Sequence, residues 1–160
     1  MILIDFTQTV IAGLMAQLKS NDNEINESML RHMILNSLRN YQKRYGPQYG
    51  QIVLCTDASD PWRREFFPLY KANRKKSREA DDKDWKLIFD TLHEVKMEIK
   101  ENFPYKYMYV ENCEADDIIA ILTKYAEEDV MIVSGDKDFQ QLQKYDYVEQ
   151  WSPNLNNQVE

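Results

Sequence analysis

The sequence predicts an α/β fold, with a mainly parallel central sheet flanked by helices. Two patterns carry that expectation. The short apolar runs Ile2-Leu3-Ile4, Ile52-Val53-Leu54 and Val130-Met131-Ile132-Val133 have the composition of strands buried on both faces. Segments with helical spacing lie between them, so strands and helices alternate. A third observation concerns chemistry. Carboxylates recur where the apolar runs end: Asp5, Asp57, the group Glu114, Asp116 and Asp117, and then Asp136 and Asp138. Strands of a parallel sheet end on one edge, so acids at those ends converge.

Each element has its own signal. Met1 to Phe6 reads as a buried strand. Thr7 is the expected cap of a helix whose Val10, Ile11, Leu14, Met15 and Leu18 recur at helical spacing. A polar loop over Ser20 to Glu24 follows. Asn26 to Tyr45 reads as a second helix with Met29, Met33, Ile34, Leu38 and Tyr41 on one face, ended by Gly46-Pro47. Gln51 to Cys55 is the next strand. From Thr56 to about Asp82 no period is sustained, and a connection that long inside a compact domain is usually functional. Asp84 to Phe103 is amphipathic through Trp85, Ile88, Phe89, Leu92, Val95 and Ile99, with Pro104 as the stop. Tyr105 to Val110 alternates as a strand does. Glu114 to Ala126 reads as a helix with Ile118, Ile119, Leu122 and Tyr125 facing inward. The Val130 strand, a short helix from Asp138 to Lys144 and a last strand from Tyr147 to Trp151 complete the order. The polar tail from Ser152 is expected to carry no core, and its lack of a stop signal suggests a chain cut from something longer.

Composition narrows the class. The chain has 160 residues, 43% apolar and 29% charged, enough for one domain with a real core. No apolar run reaches the ~18 residues of a membrane span. The start of the chain has no basic, cleavable apolar leader, so the expected location is intracellular. Cys55, at the end of an apolar run, is a core candidate, and Cys113 has no zinc-type spacing. The net charge of −7 argues against a general polyanion binder. It hides an asymmetry: Arg63, Arg64, Lys71, Arg74, Lys75, Lys76 and Arg78 share a stretch in which Glu65 is the only acid.

The strand-end acids are the strongest chemical signal. Seven carboxylates gathered on one edge repel one another unless a cation lies among them. All are hard oxygen donors, which favours magnesium or manganese over zinc. His32 and His93 fall within helices, away from the strand ends. Three acids within Glu114 to Asp117 exceed what helix capping needs, although Glu114 alone would serve as a cap. Asp136 and Asp138 alone would read as a turn and a helix cap. No phosphate-binding glycine loop and no nucleophile pattern is present. Grouped carboxylates with divalent ions suit phosphodiester hydrolysis by two metals. The basic stretch, entered through Phe66, Phe67 and Tyr70, suits single-stranded nucleic acid through phosphate contact and base stacking. Lys71, Arg74 and Arg78 (or Lys75) are spaced to line one helix face.

These residues resemble the 5′-nuclease superfamily of flap endonucleases and 5′→3′ exonucleases, with its phage ribonuclease H members most similar. The matching stretches are Leu3-Ile4-Asp5-Phe6-Thr7-Gln8, Arg31 to Ser37, Ile52 to Asp57, Trp62 to Phe66, Tyr70 to Arg74, Glu114 to Asp117, Ser134 to Phe139 and Gln150 to Pro153, in the family's order. The resemblance implies a PIN-like 5′-nuclease core over residues 1–160, with a mobile helical arch over 63–82. It implies Asp5, Asp57, Glu114 and Asp116 as first-metal ligands and Asp117, Asp136 and Asp138 as the rest of the cluster, for two magnesium ions, with manganese as a substitute. It assigns Lys71 and Arg74 to the scissile phosphate, Tyr70 to stacking, and Arg63, Arg64, Lys75, Lys76 and Arg78 to nucleic-acid contact.

The activity implied is removal of RNA primers or short 5′ strands from duplex DNA or RNA·DNA during replication. The protein would act as a monomer, with a single-strand-binding protein or sliding clamp as candidate partners. The family continues with a helix–hairpin–helix region and a further ligand Asp beyond the point where this sequence stops. Two other readings stay open: a PIN-like ribonuclease, and a non-catalytic nucleic-acid-binding replication domain.

Overall fold

A computed structural model describes residues 1–20, 25–79, 81 and 83–159, without the side chains of Lys19, Ser20, Lys75 and Lys76. The predicted polar loop therefore lies almost wholly outside the described residues, as do positions 80 and 82 of the basic segment. In chain order the elements are β1 (Ile2–Asp5), α1 (Phe6–Ser20), α2 (Glu27–Tyr49), β2 (Ile52–Cys55), α3 (Arg63–Phe66), α4 (Ala72–Glu79), α5 (Trp85–Asn102), β3 (Lys106–Met108), α6 (Ala115–Lys124), β4 (Val130–Val133), a 3₁₀ helix (Lys137–Lys144), β5 (Val148–Ser152) and β6 (Asn157–Val159).

The strands form one sheet in the order β3-β2-β1-β4-β5-β6, parallel except for β6. The apolar runs become β1, β2 and β4, every residue of which is buried. Alternation of side chains across the strands feeds two cores. Ile2, Ile4, Ile52, Leu54, Met131 and Val133 pack under α1, α2 and α5. Leu3, Val53, Cys55, Val130 and Ile132 pack under α6 and the 3₁₀ helix. Each such side chain contributes roughly 1.5–3 kcal/mol by leaving water, so central strands and register are fixed together. The chain steps from β1 to β2 to β3 in one direction, then returns to place β4 on the other side of β1. At such a switch point the connections diverge, and a crevice opens beyond the strand ends. Asp5 ends β1 at that point.

Several boundaries differ from expectation. Helix α1 starts at Phe6, so Thr7 lies inside it, and Asp5 takes the capping role by accepting from the Gln8 amide at 3.3 Å. Helix α2 runs through Gly46 and Pro47 to Tyr49. Pro47 forfeits one backbone bond, but the Gln42 side chain holds the turn, donating to the Gly50 carbonyl (3.0 Å) and accepting from the Ile52 amide (3.3 Å). A β-carbon on Gly46 would lie 2.4 Å from that Gln42 amide nitrogen. The helix ends at Gly50, at φ +85°. Tyr125 faces solvent, 70% exposed, because α6 stops at Lys124. The polar tail is not featureless: residues 157–159 pair with β5 as β6, although none is fully buried. The aperiodic stretch after β2 contains α3 and α4. No helix among the described residues is long and apolar enough to cross a membrane.

Candidate metal centre

A cleft of about 580 Å³ lies at the switch point. Asp5, Asp57, Asp116 and Asp136 line it together with Lys71, Arg74 and Arg78 from the basic segment. Each acid arrives by a short route from a buried strand or helix start, which is why residues far apart in sequence meet.

Asp5 is 9% exposed at the end of the central strand. Its pKa is pushed up to about 7, first by burial, then by the charges of Asp57, Asp116 and Asp136; the Gln8 amide opposes the shift. Ser134 Oγ also lies 3.4 Å from Asp5 Oδ2. Asp57 follows β2, and its Oδ1 accepts the Ala115 amide at 2.9 Å, so an acid from one strand end caps the helix that carries the next acids. Asp116, half-buried, accepts the Asp117 amide at 2.8 Å. Burial and the neighbouring Glu114 and Asp117 raise its pKa against the pull of Arg63.

Asp136 hangs on a braced loop. Its amide donates to Ser134 Oγ (3.2 Å), and Gln150 Nε2 donates to the carbonyls of Ser134 (2.9 Å) and Asp136 (2.8 Å). The Gly135 amide donates to Gln8 Oε1 at 3.1 Å, and a β-carbon there would stand 2.9 Å from Gln8 Nε2 and 3.0 Å from Asn154 Nδ2. A side chain at Gly135 would have to displace the ends of Gln8 and Asn154, and with them the Gln8 bond that holds the loop. Asp136 Oδ1 accepts the Asp138 amide (2.9 Å), so Asp136, not Asp138, caps the 3₁₀ helix. Asp138 is exposed and does not line the cleft.

Glu114 and Asp117 behave differently. Asp117 receives two parallel bonds from Arg63 (Nη1 to Oδ2 and Nη2 to Oδ1, both 2.8 Å), the Trp62 indole (3.2 Å) and the Glu114 amide (3.0 Å). Burial alone would raise its pKa; these donors outweigh it and hold the carboxyl below its usual range. Glu114 is buried and takes Arg63 Nη1 (2.9 Å), Tyr70 Oη (2.9 Å) and Lys71 Nζ (2.5 Å). Carboxylate oxygens of Glu114, Asp116 and Asp117 approach within 4.8 Å of one another, a spacing that fits an ion. The Arg63 guanidinium and the Lys71 ammonium together offset Glu114 and Asp117, and Arg63 also lies 3.9 Å from Asp116; the least compensated charge therefore lies with Asp5, Asp57 and Asp136, and Asp116 is only weakly offset.

The basic residues divide in the same way. Arg63, expected to contact nucleic acid, is an internal counter-ion. Exposed Arg64 bonds the Ser59 carbonyl (3.1 Å) and lies 3.6 Å from Asp60. Lys71 sits at φ +56°, a left-handed conformation uncommon outside glycine, which directs its ammonium to Glu114. Burial opposes its charge, but Glu114 and Tyr70 prevail and raise its pKa. Arg78 packs over the rings of Trp85 (5.6 Å) and Phe89 (4.6 Å); burial, then Arg74, lowers its pKa. Lys75 and Lys76 lie on α4 with side chains outside the described residues. Phe66, Phe67 and Leu69 are exposed at the base of this segment. Burial and then Asp5 push the Cys55 thiol up to about 12, which leaves it an inert core group. Sequence reasoning did not single out Gln8, Ser134 and Gln150 as braces, although all three lie in the stretches that carry the family resemblance and Gln150 is a glutamine inside a mostly buried strand.

Residues 1–159 match the family model described as 5′-3′ exonuclease, N-terminal resolvase-like domain. A ribonuclease H of Enterobacteria phage T4 is 43% identical over 157 residues, covering 94% of this chain and 51% of its own. A 5′-3′ exonuclease of Streptomyces coelicolor is 33% identical over 105 residues, covering 62% and 34%. This chain thus spans about half the length of the first relative and about a third of the second. Among solved structures, phage T5 5′-exonuclease with bound divalent zinc superposes with TM-score 0.69 at 19% identity, over 99% of this chain and 57% of that one. A phage T5 flap endonuclease variant in a complex with DNA and metal ions gives 0.70 at 21%, over 99% and 56%. At that identity the likeness is one of fold.

Proposed function

The chain belongs to the 5′-3′ exonuclease N-terminal domain family, and from that premise we propose that it is the catalytic-site portion of a magnesium-dependent 5′-nuclease. Its substrate is the 5′ strand, RNA or DNA, of a duplex with a flap or free end, and its role is primer removal in replication. The observation that carries this reading is the cleft itself, which four carboxylates and three cations line together.

The residues fit a divalent cation. Without one, Asp5 sits at about 7 because burial and three neighbouring acids disfavour its charge, and a cation relieves that repulsion. The donors are all carboxylate oxygens, the type hard ions prefer. Asp5, Asp57, Asp116 and Asp136 would hold the metal, and a second would draw on Asp136 and on Asp138, which stands outside the cleft lining. Glu114 would join only by giving up Lys71. Manganese would substitute for magnesium. When bound, such ions supply Lewis-acid activation of water and offset charge on the phosphate.

The chain's own residues account for the rest. Lys71 and Arg74 bind the scissile phosphate near the acids, and Arg78 holds a fixed charge against Trp85 and Phe89. Asp57, by accepting the first α6 amide, sets where Asp116 stands. Arg63 braces Glu114 and Asp117, which act as positioning groups rather than direct ligands. Tyr70 presents its ring beside Lys71, 4.9 Å from the ammonium, where a terminal base can stack. Helices α3 and α4 belong to the arch, and Lys75 and Lys76 of α4 keep their expected role in nucleic-acid contact. The protein acts inside a cell as a monomer, with a single-strand-binding protein or clamp as candidate partners.

A 5′-end-labelled flap duplex tests this. Cleavage in magnesium that stops with a chelator and in Asp136→Asn supports it. Binding of forked DNA without cleavage in either metal contradicts it and favours a non-catalytic domain. Equal cutting of unstructured RNA, unaffected by Lys71→Ala and Arg74→Ala, favours a PIN-like ribonuclease.

A further inference from the structure

A second groove, of about 660 Å³, opens on the other side of Asp57, which lines both it and the metal cleft. One wall is α5, with His93, Lys96 and Lys100; the other is the edge strand β3 and its continuation, with Tyr107 and Tyr109. Helix α5 segregates its charges. His93, Lys96 and Lys100, three and four residues apart, face the groove. Glu94 and Glu98 turn toward Arg31 of α2, which lies 3.8 Å from Glu94 and bonds Glu98. The Tyr107 hydroxyl is fixed by Thr56 Oγ1 at 3.1 Å, and the Lys100 ammonium lies 5.5 Å above the Tyr107 ring. Tyr109 is 47% exposed.

We propose that this groove holds the single-stranded nucleic-acid segment on the opposite side of the cleaved bond from Lys71 and Arg74. Phosphates lie on Lys96 and Lys100, and a base stacks on Tyr109. The inference rests on the nuclease reading and adds a strand path to it. In a chain of net charge −7, a polyanion crossing the acids at Asp57 is repelled unless cations hold it on both sides. The basic segment supplies one side and α5 the other. Cations with an adjacent exposed aromatic are the combination that binds single strands, because a ring reaches a base only when the base is unstacked.

The test is fluorescence anisotropy with a labelled oligothymidylate and the protein in chelator, so that no cleavage intervenes. Lys96→Ala/Lys100→Ala should weaken binding about tenfold and flatten the slope of log K against log salt by about 1.4, the change expected when two cations no longer neutralise phosphates of a single strand. Tyr109→Ala should weaken it about fivefold or more with the slope unchanged. Lys71→Ala serves as the comparison from the other side of the cleft. Parent-like affinity and slope in the groove variants, alongside a loss in Lys71→Ala, overturn the proposal. So does a loss seen for blunt duplex but not for the oligothymidylate. Cleavage of the flap duplex by the parent is measured separately. Groove binding without any cleavage would sink the nuclease reading alone; cleavage with unaltered groove variants would sink the groove alone.

Discussion

Asp116 and Asp117 are neighbours in the first turn of α6, yet their environments are opposite. Asp116 lines the cleft with its pKa raised by burial and by other acids. Asp117 takes two Arg63 bonds, the Trp62 indole and a backbone amide, and its pKa is lowered, whereas the same guanidinium stays 3.9 Å from Asp116. The contrast extends to the whole cluster. Asp5, Asp57 and Asp136 share the uncompensated side, while Glu114 shares the compensated one. Acid clusters are usually counted as a set. Here one part stores repulsion that a cation can relieve, and the other spans α3 and α6 so that the first part stays in place.

Activity should break the comparison most visibly. Asp116→Asn and Asp136→Asn are expected to lower magnesium-dependent cleavage of a flap duplex by about 10³ or more, the scale of several kcal/mol of lost charge stabilisation. Asp117→Asn should lose only about 10–100-fold, as groups that orient ligands do. Equal losses in single-turnover assays would erase the distinction.

Removing the brace comes next. Arg63→Met leaves buried Glu114 with Lys71 and Tyr70 only, and Asp117 without its bidentate partner. Partial exposure of Arg63 reduces the full cost of a broken buried pair, so a loss of about 2–3 kcal/mol is expected in urea melts. Arg63→Lys should recover only part of it, because an ammonium cannot make the two parallel bonds.

Asp5→Asn should do the reverse in metal-free protein. The folded pKa of Asp5, about 7, exceeds its unfolded value, so the neutral carboxyl is the form the fold favours. Its contribution is complete below the unfolded pKa and is lost as pH rises through 7. At pH 8 the asparagine variant should be more stable than the parent by about 1–3 kcal/mol, and the gap should narrow as pH falls and close near the unfolded carboxyl pKa of about 4. A gap independent of pH would mean that Asp5 does not titrate in this window.

The smallest effect sharpens the pair itself. Without metal, Asp117→Asn should cost about 1–2 kcal/mol for its charged hydrogen bonds, whereas Asp116→Asn should be neutral or slightly stabilising by thermal melting.

Much of this frame could be read in the sequence. Buried apolar runs identify β1, β2 and β4, and acids after them mark one edge of a parallel sheet. Residues whose role depends on distant partners could not be read. A run with Arg63, Lys71 and Arg74 looks the same whether it meets solvent, phosphate or Glu114 some 50 residues away. Adjacent acids such as Asp116 and Asp117 differ only by which way a helix start turns, and Asp57 sets that from another strand. Pro47 reads as a stop because propensity is local, while Gln42 rescues the turn with its side chain. The polar residues 157–159 carry no apolar signal, and backbone pairing with β5 makes them a strand.

The most direct test of the central claim is manganese binding by the metal-free protein, followed calorimetrically at pH 8 in the parent, Asp116→Asn and Asp117→Asn. The structure predicts at least tenfold weaker binding for Asp116→Asn and affinity within a few-fold of the parent for Asp117→Asn. Parent-like binding in Asp116→Asn, or an equal loss in both variants, would contradict the division of the acids on which the account rests.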